Sequence, residues 1–250
     1  MDKHAKDSAF QLAVSDKEQA KLGVGGTAKD TERQIYYFAE RTADGTLYVQ
    51  PLNASFAPAG KKTVLESECF LERYKPEPLV FYNRVKPAMD SLRQSMEKAE
   101  KHLAENKLDR AEKEYKKALD VDGENIKAIF GLGITFLTGG KLEEAGEVFK
   151  DIMALDLAFD REHTHLFNEF GIKMRKAGML DKALEYYQKA LRLNARDEHL
   201  HFNVARIHYD AKEYARAVES LKEALAIAPD FTEAAKMLKA VAKLQAQAVG

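Results

Sequence analysis

The chain has 250 residues, 39 lysines and arginines against 40 aspartates and glutamates, and a formal net charge of -1. Both signs are interspersed along it, which argues against a polyanion-binding surface and hence against nucleic acid as a partner. Its single cysteine, Cys69, rules out an intramolecular disulfide and a cysteine-built zinc site.

The first thirty residues hold no apolar run of signal-peptide length, and nowhere do eighteen apolar residues follow one another. A cytoplasmic protein without membrane insertion is expected, and Cys69 reads as a packed thiol in a reducing compartment. Residues 1–31 are polar and carry the stretch Gly23-Val24-Gly25-Gly26-Thr27. No Gly-Lys-Ser/Thr follows these glycines, so they read as linker rather than phosphate loop. The whole segment is expected to be a flexible arm.

Residues 32–78 change character. Ile35, Tyr36, Tyr37 and Phe38 run into Ala43-Asp44-Gly45, after which Leu47, Tyr48 and Val49 follow. An Asp-Gly pair between aromatic and β-branched residues is a hairpin signature. Past Ala57-Pro58-Ala59-Gly60, Thr63-Val64-Leu65 reads as a third short strand. Ser67–Tyr74 reads as a short helix with Phe70, Leu71 and Tyr74 on one side. The result is a small α+β unit, ended by Pro76 and Pro78, that needs a packing partner to persist.

From Pro87, which suits the first turn of a helix, the chain reads as helical to its end, and a repeat organises it. Ala111, Ala145, Ala183 and Ala217 are spaced by 34, 38 and 34 residues. Four residues after each stands Tyr115, Phe149, Tyr187 or Leu221, and three before each stands Leu108, Leu142, Leu180 or Tyr214. Twelve before each stands a small residue, Ala99, Gly133, Gly171 or Ala205. With the pair Leu132-Gly133 and with Pro229 closing the last copy, this pattern resembles the tetratricopeptide repeat family over residues 87–229. The fold expected is mainly α, a helix-turn-helix solenoid carrying a small N-terminal α+β unit, and residues 230–250 form a capping helix. Its Phe231, Ala234, Ala235, Leu238 and Val241 face inward, and Lys236, Lys239 and Lys243 face water. The first repeat is degenerate, with Ser95 and Lys98 where large apolar residues are usual. Extra residues after Leu155-Asp156-Leu157-Ala158-Phe159 lengthen a helix or loop before the third repeat.

The resemblance implies that the first helix of each pair lines a concave groove. Projected onto this sequence, the groove residues are Lys127, Phe130, Ile134, Leu137 and Thr138, then His165, Asn168, Ile172, Arg175 and Lys176, then His199, Phe202, Arg206, Tyr209 and Asp210. Phe130, Ile134 and Leu137 form a second apolar stripe beside Ile129, Leu132, Gly133 and Phe136, so this helix is apolar nearly all round and must be covered. Its cover is either a partner segment or the chain itself. Arg175, Lys176 and Arg206 read as a cationic end able to take a carboxylate, or else as a solvated face. The lysine and asparagine of the family's chaperone-tail clamp are replaced by Met96 and Glu100.

His163 and His165, echoed by His199 and His201, invite a metal reading. Residues two apart on a helix point in different directions, and no metal or other cofactor is expected. Neither Gly-x-Ser-x-Gly, His-Glu-x-x-His, a dinucleotide fingerprint nor a P-loop occurs. The expectation is a non-enzymatic adaptor or scaffold that binds a protein or peptide segment, with self-association as a further option. The alternative is a regulatory module in which the N-terminal unit binds a small molecule and the repeats relay it.

Overall fold

The structure, a computed structural model, describes residues 9–22 and 29–249. It divides into two compact units, residues 1–101 with 113–125, and residues 102–112 with 126–250.

The first unit is built on an antiparallel sheet of β1 (Phe10–Leu22), β2 (Lys29–Arg41), β3 (Leu47–Pro51), β4 (Thr63–Leu65) and β5 (Lys75–Pro76), in the order β4-β3-β2-β1-β5. The flexible arm expected over residues 1–31 is therefore corrected in part: β1 pairs along its length with β2, Val14 opposite Tyr37. Phe10, Leu12 and Val14 alternate with Gln11, Ala13 and Ser15, a period of two that places three apolar residues on one face. The alternation stops at Asp16, so the segment reads as polar overall. The glycine stretch Gly23–Thr27 lies outside the described residues.

The sheet is buried on both faces, because alternation sends neighbouring residues to opposite sides. On one face Val14, Ala39, Leu47 and Val49 pack with Phe70 of α1 (Ser67–Arg73) and with Tyr74 just after it. Leu71, expected beside them, is exposed. On the other face Ala13 and Phe38 pack with Phe81 and Val85, flanked by Met89. Those residues lie on a helix that starts earlier than Pro87. It opens with α2 (Pro78–Val80), passes through a π-turn at Phe81–Val85 and continues as α3 (Lys86–Ala104). Pro87 has no N–H and its ring crowds the carbonyl four residues back, and the wide turn before it relieves that clash. This helix is the packing partner that the strands need. The unit boundary accordingly falls within the expected repeat region and not at residue 78.

Between β2 and β3, Gly45 has φ +88° and the Thr42 amide donates to the Thr46 carbonyl at 3.0 Å, closing the Asp-Gly turn. After β3, the Asn53 side chain accepts from the amides of Ser55 and Ala57, and its Nδ2 donates to the Val121 carbonyl at 2.9 Å. Val121 ends α4 (Leu108–Val121), so this amide caps an orphan helix carbonyl.

The second unit contains α5 (Ile126–Thr138), α6 (Leu142–Ala154), α7 (Thr164–Lys176), α8 (Leu180–Leu193), α9 (Glu198–Asp210), α10 (Tyr214–Ile227) and α11 (Thr232–Val249). The same turn occurs four times. Asn106, Gly140, Gly178 and Lys212 have φ of 57°, 73°, 79° and 62°. The amide after each donates five residues back, Lys107 to His102, Lys141 to Phe136, Met179 to Met174 and Glu213 to His208. A left-handed residue followed by such a bond is the Schellman termination, and it turns each first helix into its antiparallel partner.

Small residues set the helix separation. A Cβ at Gly133 would lie 2.6 Å from the Phe170 ring and 2.9 Å from Val148, and one at Gly171 would lie 2.5 Å from the Tyr187 hydroxyl. Ala145, Ala183, Ala205 and Ala217 are fully buried. The connection between the second and third repeats, four residues longer than the others, contains 3-10 turns at Asp156–Phe159 and Arg161–His163. Phe159 packs there on Phe167 and Tyr186, with ring centroids 5.5 and 5.6 Å away. At the C-terminal end, Ala234 and Val241 of α11 join a core with Ala205, Ala217, Leu221 and Ala224, while Lys236, Lys239 and Lys243 are exposed. Among the described residues, no helix is long and apolar enough to cross a membrane.

Candidate functional site

The first helices of the pairs in the second unit, α5, α7 and α9, carry every residue named as groove lining. On α5, Phe130, Ile134 and Leu137 are buried, Phe130 completely and edge-on to Phe170 at 5.9 Å. They are core, which corrects their reading as a pocket wall: a helix apolar nearly all round is enclosed on both sides. Lys127 and Thr138 of the same helix are exposed.

On α7 and α9 the outcome differs. His165, Lys176, His199, Tyr209 and Asp210 are exposed, and Asn168, Ile172, Arg175, Phe202 and Arg206 are half-buried. Opposite faces of these helices hold the core residues Phe167, Phe170, Met174, Val204 and Ile207. The two helices are joined by polar contacts 35 residues apart in sequence: Asn203 Nδ2 donates to Asn168 Oδ1 at 3.4 Å, and Arg175 pairs with Asp210. Lys173 Nζ donates to Thr138 Oγ1 at 3.1 Å, tying α7 to α5. At the N-terminal end of α9 the His199 and Phe202 rings each lie 5.0 Å from Phe231, the residue that precedes α11, so part of their surface is covered there.

The cationic residues separate into distinct environments. Arg175 is neutralised by Asp210, and Lys176 is in water. Arg206 has its guanidinium 5.8 Å from the centre of the Phe202 ring. Burial, then repulsion from Arg175, lowers its pKa, with Asp210 opposing. Tyr187 of α8 is buried, and its hydroxyl has no hydrogen-bond partner among the described residues. Burial raises the pKa of that phenol, while the charges of Arg175 and Arg206 act in the other direction. Sequence reasoning missed Asn203 and Lys173, since each is distinguished by a contact to another helix and not by its place in the repeat, and it found Tyr187 as a repeat position without its unpartnered hydroxyl.

The histidines do not converge. His163 is buried with Nδ1 unpartnered, whereas His165 is exposed. His201 Nε2 lies 3.0 Å from the Ala195 carbonyl, and His208 Nδ1 lies 2.7 Å from Glu213. Among the described residues there is no group of three or more potential ligands that could hold a metal ion. In the first unit an open hollow of about 250 Å³ lies between Tyr36, Phe56, Leu79, Val80, Asn83 and Arg84.

Tetratricopeptide repeat family models match residues 96–156 and 174–242. The chain is a tetratricopeptide repeat protein. It is 28% identical over 127 residues to the TPR repeat-containing protein YpiA of Bacillus subtilis, covering 51% of this chain and 29% of that one. It is 23% identical over 129 residues to anaphase-promoting complex subunit 3 of Schizosaccharomyces pombe, covering 52% of this chain and 19% of that one. The repeat protein thus spans less than a third of the length of these curated relatives. Among solved structures it is similar to MamA, with a TM-score of 0.48 and 21% identity, covering 62% of this chain and 82% of that one.

Proposed function

We propose that this tetratricopeptide repeat protein is a non-catalytic scaffold that holds a segment of a partner protein against the groove-facing sides of α7 and α9. One observation supports the reading above the others: on both helices one face is half-buried at its middle and exposed towards its ends, while the opposite face is packed in the core. The face combines an apolar centre at Ile172 with hydrogen-bonding groups at Asn168, His165 and His199, and with charge at Arg206 and Lys176. Such a mixture suits a peptide, whose backbone and side chains need both kinds of contact. Lys127 lies on the neighbouring α5 and extends the candidate surface. The Cys69 thiol, expected to be packed, is instead exposed and free, and an unpaired thiol suits a reducing compartment, which supports action in the cytoplasm.

The test is selection of peptides from a displayed random library on the full chain, followed by affinity measurement on Ile172→Asp. Selected peptides are expected to lose about tenfold in affinity, as a buried apolar contact becomes a desolvated charge. Unchanged affinity for a variant with an unaltered melting temperature would place binding elsewhere.

A further inference from the structure

The hollow in the first unit is built entirely from residues of that unit, and three separate segments supply its walls. Tyr36 comes from β2, Phe56 from the loop after β3, and Leu79, Val80, Asn83 and Arg84 from the helix that begins at Pro78. Phe81 and Val85 of that helix are buried against the sheet. Leu79 with Asn83, and Val80 with Arg84, stand about one turn apart beside them, a spacing that lines side chains up on one flank. Leu79 is 76% exposed, so the flank carries an apolar wall that the unit leaves open.

The Phe56 ring is held in this hollow against its backbone preference. Its φ is 62°, a left-handed conformation that bulky residues seldom adopt and that glycine takes freely. Local bonds fix it there: Asn53 accepts from the amides of Ser55 and Ala57, and the Phe56 amide donates to the Asn53 carbonyl at 3.0 Å. Part of the ring packs beside the core of Ala13, Phe38, Phe81 and Val85, and the rest lines the hollow, 6.0 Å from the Tyr36 ring and tilted 46° to it. Strain that the surroundings enforce is a recurring feature of ligand clamps. Over the same ring lies the Arg84 guanidinium, 4.6 Å from its centre. Stacking occupies the flat face of a guanidinium and leaves the N–H groups round its edge. Among the described residues neither an ion pair nor a hydrogen bond takes them, and no hydrogen bond takes the Asn83 side-chain amide.

These parts select a class of ligand. Two tilted rings and an aliphatic wall receive a flat apolar body, and the edge of a stacked guanidinium receives a planar anion in two-pronged fashion. In an aromatic acid, conjugation holds the carboxylate in the plane of the ring, so one rigid molecule meets both demands. The volume of about 250 Å³ falls below the roughly 300–1,000 Å³ of pockets for drug-sized ligands, which limits the body to one or two rings. We infer that this hollow binds a small aromatic carboxylate, with its ring against Phe56 and Leu79 and its carboxylate on Arg84, Asn83 supplying a further polar contact. The inference does not depend on the groove reading.

The test titrates the full chain, methyl-labelled at leucine and valine, with benzoate and follows the Leu79 and Val80 methyl groups by NMR. Saturable shifts of both with a millimolar midpoint are expected, the affinity that a ligand of this size reaches. Benzamide keeps the flat ring without the charge, and cyclohexanecarboxylate keeps the charge without the flat ring. Each is expected to bind about fivefold more weakly or worse. Arg84→Gln, at an exposed position, is expected to keep the parent melting temperature, to lose about fivefold in affinity for benzoate and to bind benzamide as the parent does. Absence of a saturable shift at Leu79 and Val80, or undiminished benzoate binding by Arg84→Gln, would overturn the inference. Equal binding of benzamide, the behaviour of a surface made for a partner protein's apolar side chain, would overturn the carboxylate. Equal binding of cyclohexanecarboxylate would overturn the aromatic body.

Discussion

The ammonium of Lys189 on α8 lies 2.8 Å from the carbonyl oxygen of Met153 in the last turn of α6. The same nitrogen donates to Asp156 at 2.8 Å and stands 4.6 Å over the Phe159 ring. One side chain thus caps a helix C-terminus, where positive charge is favourable, and pins the inserted segment between the second and third repeats. Lys189→Met keeps the aliphatic stem and removes these bonds. With the lysine side chain only 15% exposed, a loss of about 1–2 kcal/mol is expected in urea unfolding. Asp156 is exposed, so Asp156→Asn is expected to have a smaller effect.

Core and groove positions are distinguished by stability. Phe130→Ala removes a fully buried ring and is expected to cost about 3–5 kcal/mol, whereas exposed His165→Ala should stay within about 0.5 kcal/mol of the parent. Denaturant melts of the two variants check this directly. Equal effects would show that α5 and α7 do not differ as described.

Lys212 holds a left-handed conformation, φ 62°, at the turn position that Gly140 and Gly178 occupy in the preceding pairs. A Cβ is strained there by about 1 kcal/mol. Lys212→Gly is expected to recover part of that strain and raise the melting temperature, even though glycine loses more backbone freedom on folding. Calorimetry of the variant is the check.

His163 gives the fold a pH dependence of known sign. Burial lowers its pKa below the ordinary 6.5, with Lys127 and His165 acting in the same direction and Glu162 and Asp160 opposing. The unfolded chain therefore takes up the proton first. Stability is unaffected by this group above about pH 6.5 and falls as the pH drops from there towards the folded-state pKa. Melting temperatures between neutral and mildly acidic pH should decline less steeply for His163→Gln than for the parent.

The repeat was legible because its constraints are local. A small residue where two helices touch, an alanine twelve positions on and a turn of fixed length recur with the period of the structure, and the four left-handed turns follow that period. The Asp44-Gly45 hairpin was legible for the same reason. Strand β1 was not, because only Phe10, Leu12 and Val14 show the alternation before the chain turns polar. The early start of the helix at Pro78 was hidden by Pro87, whose accommodation depends on a π-turn that no residue type announces. On α5 the pattern showed that both faces are covered but not by what. The electrostatics of the groove was the least legible part. That Arg175 takes Asp210 while Arg206 lies over the Phe202 ring depends on side-chain geometry that the repeat does not encode.

The proposed function requires a partner segment to lie along the groove-facing sides of α7 and α9. Amide hydrogen exchange of the full chain, with and without a library-selected peptide, measures this most directly. Slowed exchange concentrated in 164–176 and 198–210 is the predicted result. Slowed exchange confined to α8 and α10, or to the N-terminal sheet, would contradict it.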